Sequence, residues 1–116
     1  MRRLTIRREK AFAACLMKVN FYITSSALYN GDEEVTIGGE QCRKLGELKN
    51  GEEKTFLVEE VRAKVFASYN MAGSNIWDEI TIPEGREGIR ICGKCMFAPS
   101  VGNPFNFHEQ IQAENY

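Results

Sequence analysis

Strict alternation of apolar and polar side chains is the feature that most limits what this chain can fold into. From Met17 to Ile23, the residues Met17, Val19, Phe21 and Ile23 fall on one side and Lys18, Asn20 and Tyr22 on the other. That is the period of an extended strand with one buried face. Leu4-Thr5-Ile6-Arg7 alternates in the same way, and so do Val61, Ala63, Val65 and Ala67 against Arg62, Lys64, Phe66 and Ser68. No stretch carries an apolar stripe at helical spacing over several turns. The expectation is an all-β protein.

Turn residues divide the alternating runs. Lys49-Asn50-Gly51-Glu52 lies between Cys42–Leu48 and Phe56-Leu57-Val58, and Asn-Gly favours the positive φ angles of a tight turn, so a hairpin is predicted there. A second hairpin is predicted where Pro83-Glu84-Gly85-Arg86-Glu87-Gly88 separates Ile76–Ile82 from the run ending at Phe97. Thr24 to Gly39, rich in Ser, Asn and Gly around a short Val35-Thr36-Ile37, reads as an irregular insertion. About seven or eight short strands with frequent turns predict an antiparallel β-sandwich of Ig-like type. Its expected core is Ile6, Met17, Val19, Phe21, Ile23, Leu48, Phe56, Val58, Val61, Val65, Ile80, Ile82, Ile89, Ile91 and Phe97. Residues 1–98 are expected to form this single domain, and 99–116 a tail that is loose or packs back through Phe105 and Phe107.

Length and charge narrow the function classes. With 116 residues one core is expected. A net charge of -1 gives no overall field that would attract nucleic acid or an anionic membrane. Arg2, Arg3, Arg7, Arg8 and Lys10 crowd the first ten residues with only Glu9 opposing them, but no aromatic residues interleave with the arginines as a nucleic-acid stacking platform requires. Arg3, Thr5 and Arg7 are read as the exposed face of an edge strand, where charge discourages aggregation. No apolar run is long enough to span a bilayer. The segment before Ala13-Ala14-Cys15 resembles a lipoprotein cleavage site, but Leu4–Lys10 carries four charges where a signal peptide is apolar. The expected location is cytoplasmic, where cysteines are normally free thiols.

Two stretches, Leu4-Thr5-Ile6-Arg7-Arg8-Glu9-Lys10 with Leu16-Met17-Lys18 and Tyr22-Ile23, and Gly46-Glu47-Leu48-Lys49-Asn50-Gly51-Glu52 running into Phe56, carry a resemblance. They resemble small uncharacterised bacterial β-sandwich proteins, loosely similar to PEGA-type modules. Pro83-Glu84-Gly85 ahead of Ile89-Arg90-Ile91 is similar to the Pro-x-Gly turn before a late strand in those modules. The likeness covers about the first half of the chain, and Thr24–Gly39 departs from it. It implies a binding or scaffolding part and carries over no catalytic residue.

Cys92-Gly93-Lys94-Cys95 is the one motif with a specific chemical reading, since thiolates at that spacing can grip a tetrahedral metal or form a redox pair. A straight strand would point the two sulfurs apart, and the remaining candidate ligands, Cys15, Cys42 and His108, are distant in sequence. His108 is the sole histidine, so any imidazole base would have to be that one. The carboxylates at Asp32-Glu33-Glu34, Glu52-Glu53, Glu59-Glu60, Glu84 and Glu87 read as solvated turns. Trp77, Tyr69 and Tyr22 are the candidate binding residues, because aromatic rings on a sandwich face can hold a sugar or a peptide.

The expected function is a non-enzymatic interaction or scaffold module with no cofactor. It would bind a protein partner or self-associate, a homodimer included, through an exposed strand edge or the Phe105–Phe107 tail. The alternatives are a thiol-based metal or redox site at Cys92 and Cys95, and a carbohydrate-binding module built on Trp77.

Overall fold

A computed structural model describes residues 1–12, 18–27, 34–68, 77–95 and 105–114. In chain order these form β1 (Arg2–Arg8), β2 (Val19–Thr24), a 3-10 turn at Ser25–Ala27, β3 (Glu34–Ile37), β4 (Glu40–Leu48), β5 (Glu53–Val58), β6 (Ala63–Ser68), β7 (Asp78–Ile82), β8 (Gly88–Cys95) and β9 (Phe105–Ala113). The strands make two sheets, one in the order β5-β1-β8-β9 and the other β3-β4-β2-β6-β7. All pairings are antiparallel except β1 with β8. The protein is an all-β sandwich, as the alternation predicts.

The inner faces follow from that alternation. Leu4, Ile6, Val58, Ile89 and Ile91 from the first sheet meet Val19, Phe21, Ile23, Leu48, Val65 and Ile82 from the second, all of them completely buried. Phe56 and Ile80 pack against this core from partly buried positions. Val61 differs from the expectation: it is 39% exposed, because β6 begins only at Ala63 and Val61 stands in the bend before it. Met17 and Phe97 lie outside the described residues.

Both predicted hairpins are corrected. The chain does turn at Asn50-Gly51, where Gly51 has φ 79° and the Glu52 N–H donates to the Lys49 carbonyl at 3.0 Å. Yet β4 belongs to one sheet and β5 to the other, where β5 pairs with β1. The Pro83–Glu87 turn likewise carries the chain from β7 to β8 in the opposite sheet. Turn chemistry reverses a chain locally but does not decide which neighbour the next strand hydrogen-bonds. A two-residue hairpin lies instead inside the stretch read as an insertion. Ile37 pairs with Glu40 across Gly38 and Gly39, whose φ of 59° and 83° are the positive pair a type I′ loop needs.

The crossings are tied down by the two arginines of β1 that share a face with Leu4 and Ile6. Arg2 is 2% exposed; its Nε donates to the Glu87 carbonyl at 2.8 Å and its Nη1 to the Pro83 carbonyl. Arg8 is completely buried, and its Nη1 donates to the Leu48 carbonyl at 2.9 Å. One cation thus holds the β7–β8 crossing and the other the β4–β5 crossing. Within β1, Arg3 and Arg7 keep the exposed positions expected of them, but Thr5 between them is buried, because β1 is not an edge strand and lies between β5 and β8.

Residues 105–113, read from sequence as a tail, are the edge strand β9 of the first sheet. Phe105 is completely buried and meets Phe21 edge-on, with ring centroids 5.3 Å apart. Phe107 packs edge-on against Phe105 at 5.2 Å. Among the described residues no helix is long and apolar enough to cross a membrane.

Candidate functional site

The cysteine motif sits on β8, and the strand sends its two sulfurs to opposite faces. Cys95 joins the inner core and hydrogen-bonds Arg8, while Cys92 is outside that core and hydrogen-bonds Glu109. Both are free and buried. Burial pushes both thiols up, in Cys95 against the lowering effect of Arg8 and in Cys92 against that of Arg90. A thiol raised in this way holds less of the thiolate, the form that attacks or ligates, at neutral pH. The intervening glycine has a packing reason: a Cβ on Gly93 would collide with the Phe105 ring and lie 2.6 Å from the Asn106 carbonyl oxygen.

The fold brings Cys92 near His108, a pairing that spacing in sequence does not reveal. β9 carries one extra residue opposite the step from Cys92 to Gly93, and His108 occupies it. The His108 Nε2 faces Glu9 Oε2 at 3.1 Å, so imidazole and thiol are each engaged with a different carboxylate. Among the described residues no group of three or more His, Cys, Asp and Glu is arranged to hold a metal ion.

Trp77 and Tyr22 meet on the outer face of the second sheet in a small satellite core with Cys42, Phe66, Ile37 and Val35. Tyr22 is 4% exposed and offers no ring face to a ligand. Trp77 is half-buried, edge-on to Phe66 at 6.3 Å, and lies against Gly38, where a Cβ would come within 3.0 Å of the indole. It precedes β7 at one edge of the sheet and touches the turn of β3 and β4 at the other, so its ring ties both edges together. Tyr69 lies outside the described residues.

A cleft of about 470 Å³ opens where Thr24, Gln41, Arg62, Lys64 and Thr81 converge with Glu40. Lys64 Nζ is held by Glu40 at 3.3 Å.

The four sheet edges differ in how they are guarded. β5 carries Glu53 and Lys54, β7 carries Asp78 and Glu79, and β3 is four residues long and opens with Glu34. Charged and short edges resist the addition of another strand. β9 is nine residues long, and its second half, Gln110-Ile111-Gln112-Ala113, has no charged side chain. Its first half is closed from the facing sheet, because the Phe107 N–H donates to Asp78 Oδ2 at 2.7 Å.

Hydrogen-bond phase tells which β9 groups β8 leaves unbonded. The Glu9 N–H donates to the Gly93 carbonyl at 2.8 Å, so the main-chain groups of Gly93 point towards β1. Alternation then turns Ile91 and Ile89 towards β1, and Arg90 and Cys92 towards β9. Glu109 and Ile111, opposite Cys92 and Arg90, are therefore the bonded partners, whereas Gln110 and Gln112 direct N–H and C=O out of the sheet. Ile111 places a 36% exposed side chain between them on the outer face. Strand order, and hence this opening, is absent from any local sequence signal.

Compared with known protein families, with curated proteins and with solved structures, the chain matches none.

Proposed function

We propose that this chain is a non-enzymatic interaction module that takes an extended segment of a protein partner alongside β9. The observation that carries the reading is the uncharged half-edge Gln110–Ala113, where two residues turn their main-chain groups away from β8 to a side on which no described strand lies, with an exposed isoleucine between them. Strand addition gains main-chain hydrogen bonds from such an edge and specificity from alternate side chains. The non-enzymatic part of the proposal draws on the engaged state of His108 and the raised thiols. The resemblance to PEGA-type modules points the same way.

The test is selection of displayed random decapeptides on the immobilised protein, with the Gln112→Pro variant as counter-selection. Proline there removes an outward N–H while leaving the ladder to β8 intact. The reading expects selected peptides of alternating pattern that shift the amide signals of Gln110 and Gln112. Peptides that bind the variant equally well, or that perturb the Arg62 cleft instead, contradict it.

A further inference from the structure

We infer that the segment accepted by β9 is β9 of a second copy of this chain, paired antiparallel about a two-fold axis at Ile111. The inference rests on the interaction-module reading and names its partner.

Phase and sequence both select that register. Antiparallel pairing requires outward-facing residues of one strand to meet outward-facing residues of the other. Centring on Ile111 places Gln110 opposite Gln112 of the second copy and Gln112 opposite its Gln110. Every outward N–H and C=O of Gln110 and Gln112 then finds a partner. Ile111 meets Ile111 across the axis in the closer, non-bonded type of pair, which buries the one apolar side chain the half-edge exposes.

Charge is compatible with the same register. Glu109 falls opposite Ala113 rather than another carboxylate, and the His108 end of one strand approaches the Glu114 end of the other. A shift of two residues in the sum of paired positions would set Glu109 against Ile111 and leave one outward glutamine without its match. The net charge of -1 opposes the approach of two copies only weakly. The Phe107–Asp78 bond stops the pairing from running further towards Phe105, so the contact is short. A patch of this length lies at the small end of specific interfaces and gives a reversible dimer.

The two-fold arrangement joins two four-stranded sheets into one continuous sheet of eight, β5-β1-β8-β9 followed by its symmetry mate. Both satellite cores and both Arg62 clefts stay on the far sheets, open to other partners.

Sedimentation equilibrium of the full chain over a wide concentration range tests this. The expected result is a reversible monomer–dimer equilibrium. Ile111→Lys, which sets two cations face to face, and Gln112→Pro should each weaken it by about tenfold or more. Leu57→Lys, on the opposite edge of the same sheet, should leave it unchanged, which separates edge pairing from general stickiness. Circular dichroism checks that each variant is folded, and Ile111→Lys decides the matter if the proline variant is not. A chain that stays monomeric up to about 1 mM overturns the self-pairing. So does association that both variants leave intact. If that monomeric chain still takes displayed peptides in a manner sensitive to Gln112→Pro, the module reading stands and the second copy is not its partner.

Discussion

Arg8 and Leu48 meet through a buried hydrogen bond of 2.9 Å, guanidinium Nη1 to main-chain carbonyl, at the corner where the chain passes from one sheet to the other. A charged group on the inner face of a central strand is costly unless its donors are engaged. Here the same side chain also hydrogen-bonds Cys95, and its counterpart at the other end of β1, Arg2, binds the carbonyls of Pro83 and Glu87. The two cations fix the crossings that turn alternating strands into a sandwich.

Replacing Arg8 with Ala should therefore cost about 2–4 kcal/mol, because it opens a cavity and strips the Leu48 carbonyl of its donor. Arg3→Ala, on the exposed face of the same strand, should change stability by less than about 0.5 kcal/mol. Urea unfolding of the two variants measures the difference. Equal effects would mean that the inward arginines are not holding the crossings.

Gly93→Ala should destabilise by roughly 1–3 kcal/mol, since the added methyl meets the Phe105 ring and the Asn106 carbonyl. Lys94→Ala, one residue along and exposed, should be nearly neutral. If the glycine served a redox or metal motif rather than packing, the stability of the two variants would not separate in this way.

Trp77 is the sole tryptophan, which makes fluorescence a clean report on the satellite core. Native emission should be blue-shifted from that of the unfolded chain, and Gly38→Ala should shift it to the red, because the substitution strains a residue at φ 59° and crowds the indole. Quenching by sugars without any change in fold would favour the carbohydrate-binding alternative.

The buried thiols give stability an alkaline limb. Burial pushes Cys42 up to about 11, with Glu40 and Glu79 adding to the rise, and raises Cys92 and Cys95 in the same direction. A thiol raised on folding stays protonated in the native chain at a pH where the unfolded chain already ionises. Its contribution is complete below the unfolded value of 9.0 and declines as pH climbs towards the folded one. Stability should thus fall between about pH 9 and 11, and Cys42→Ala should flatten part of that fall. Thiol reagents at neutral pH should modify these three cysteines only after unfolding.

Strand periodicity carried most of the architecture. The face of Val19, Phe21 and Ile23, and that of Ile89 and Ile91, follow directly from alternation. Parity alone also sets Arg2 and Arg8 beside Leu4 and Ile6, but their charge reads as surface until the carbonyls that receive them are known. The Asn50-Gly51 and Pro83–Gly85 turns were legible as reversals, yet local chemistry is silent on whether the next strand stays in the sheet. For the same reason the opening at Gln110 and Gln112 was hidden: an edge is defined by what does not lie beside it, and that depends on strand order across the whole chain. Cys92 and Cys95 do not come together, because a strand, unlike a turn, separates residues three apart onto opposite faces.

The most direct measurement of the interaction-module account is residue-resolved amide hydrogen exchange on the full chain at low and high protein concentration. Pairing at β9 predicts that the Gln110 and Gln112 amides gain protection as concentration rises, while Ile111, bonded within the sheet, is protected throughout. Gln110 and Gln112 amides that exchange at the same fast rate at every concentration, and with every selected peptide added, would contradict the account.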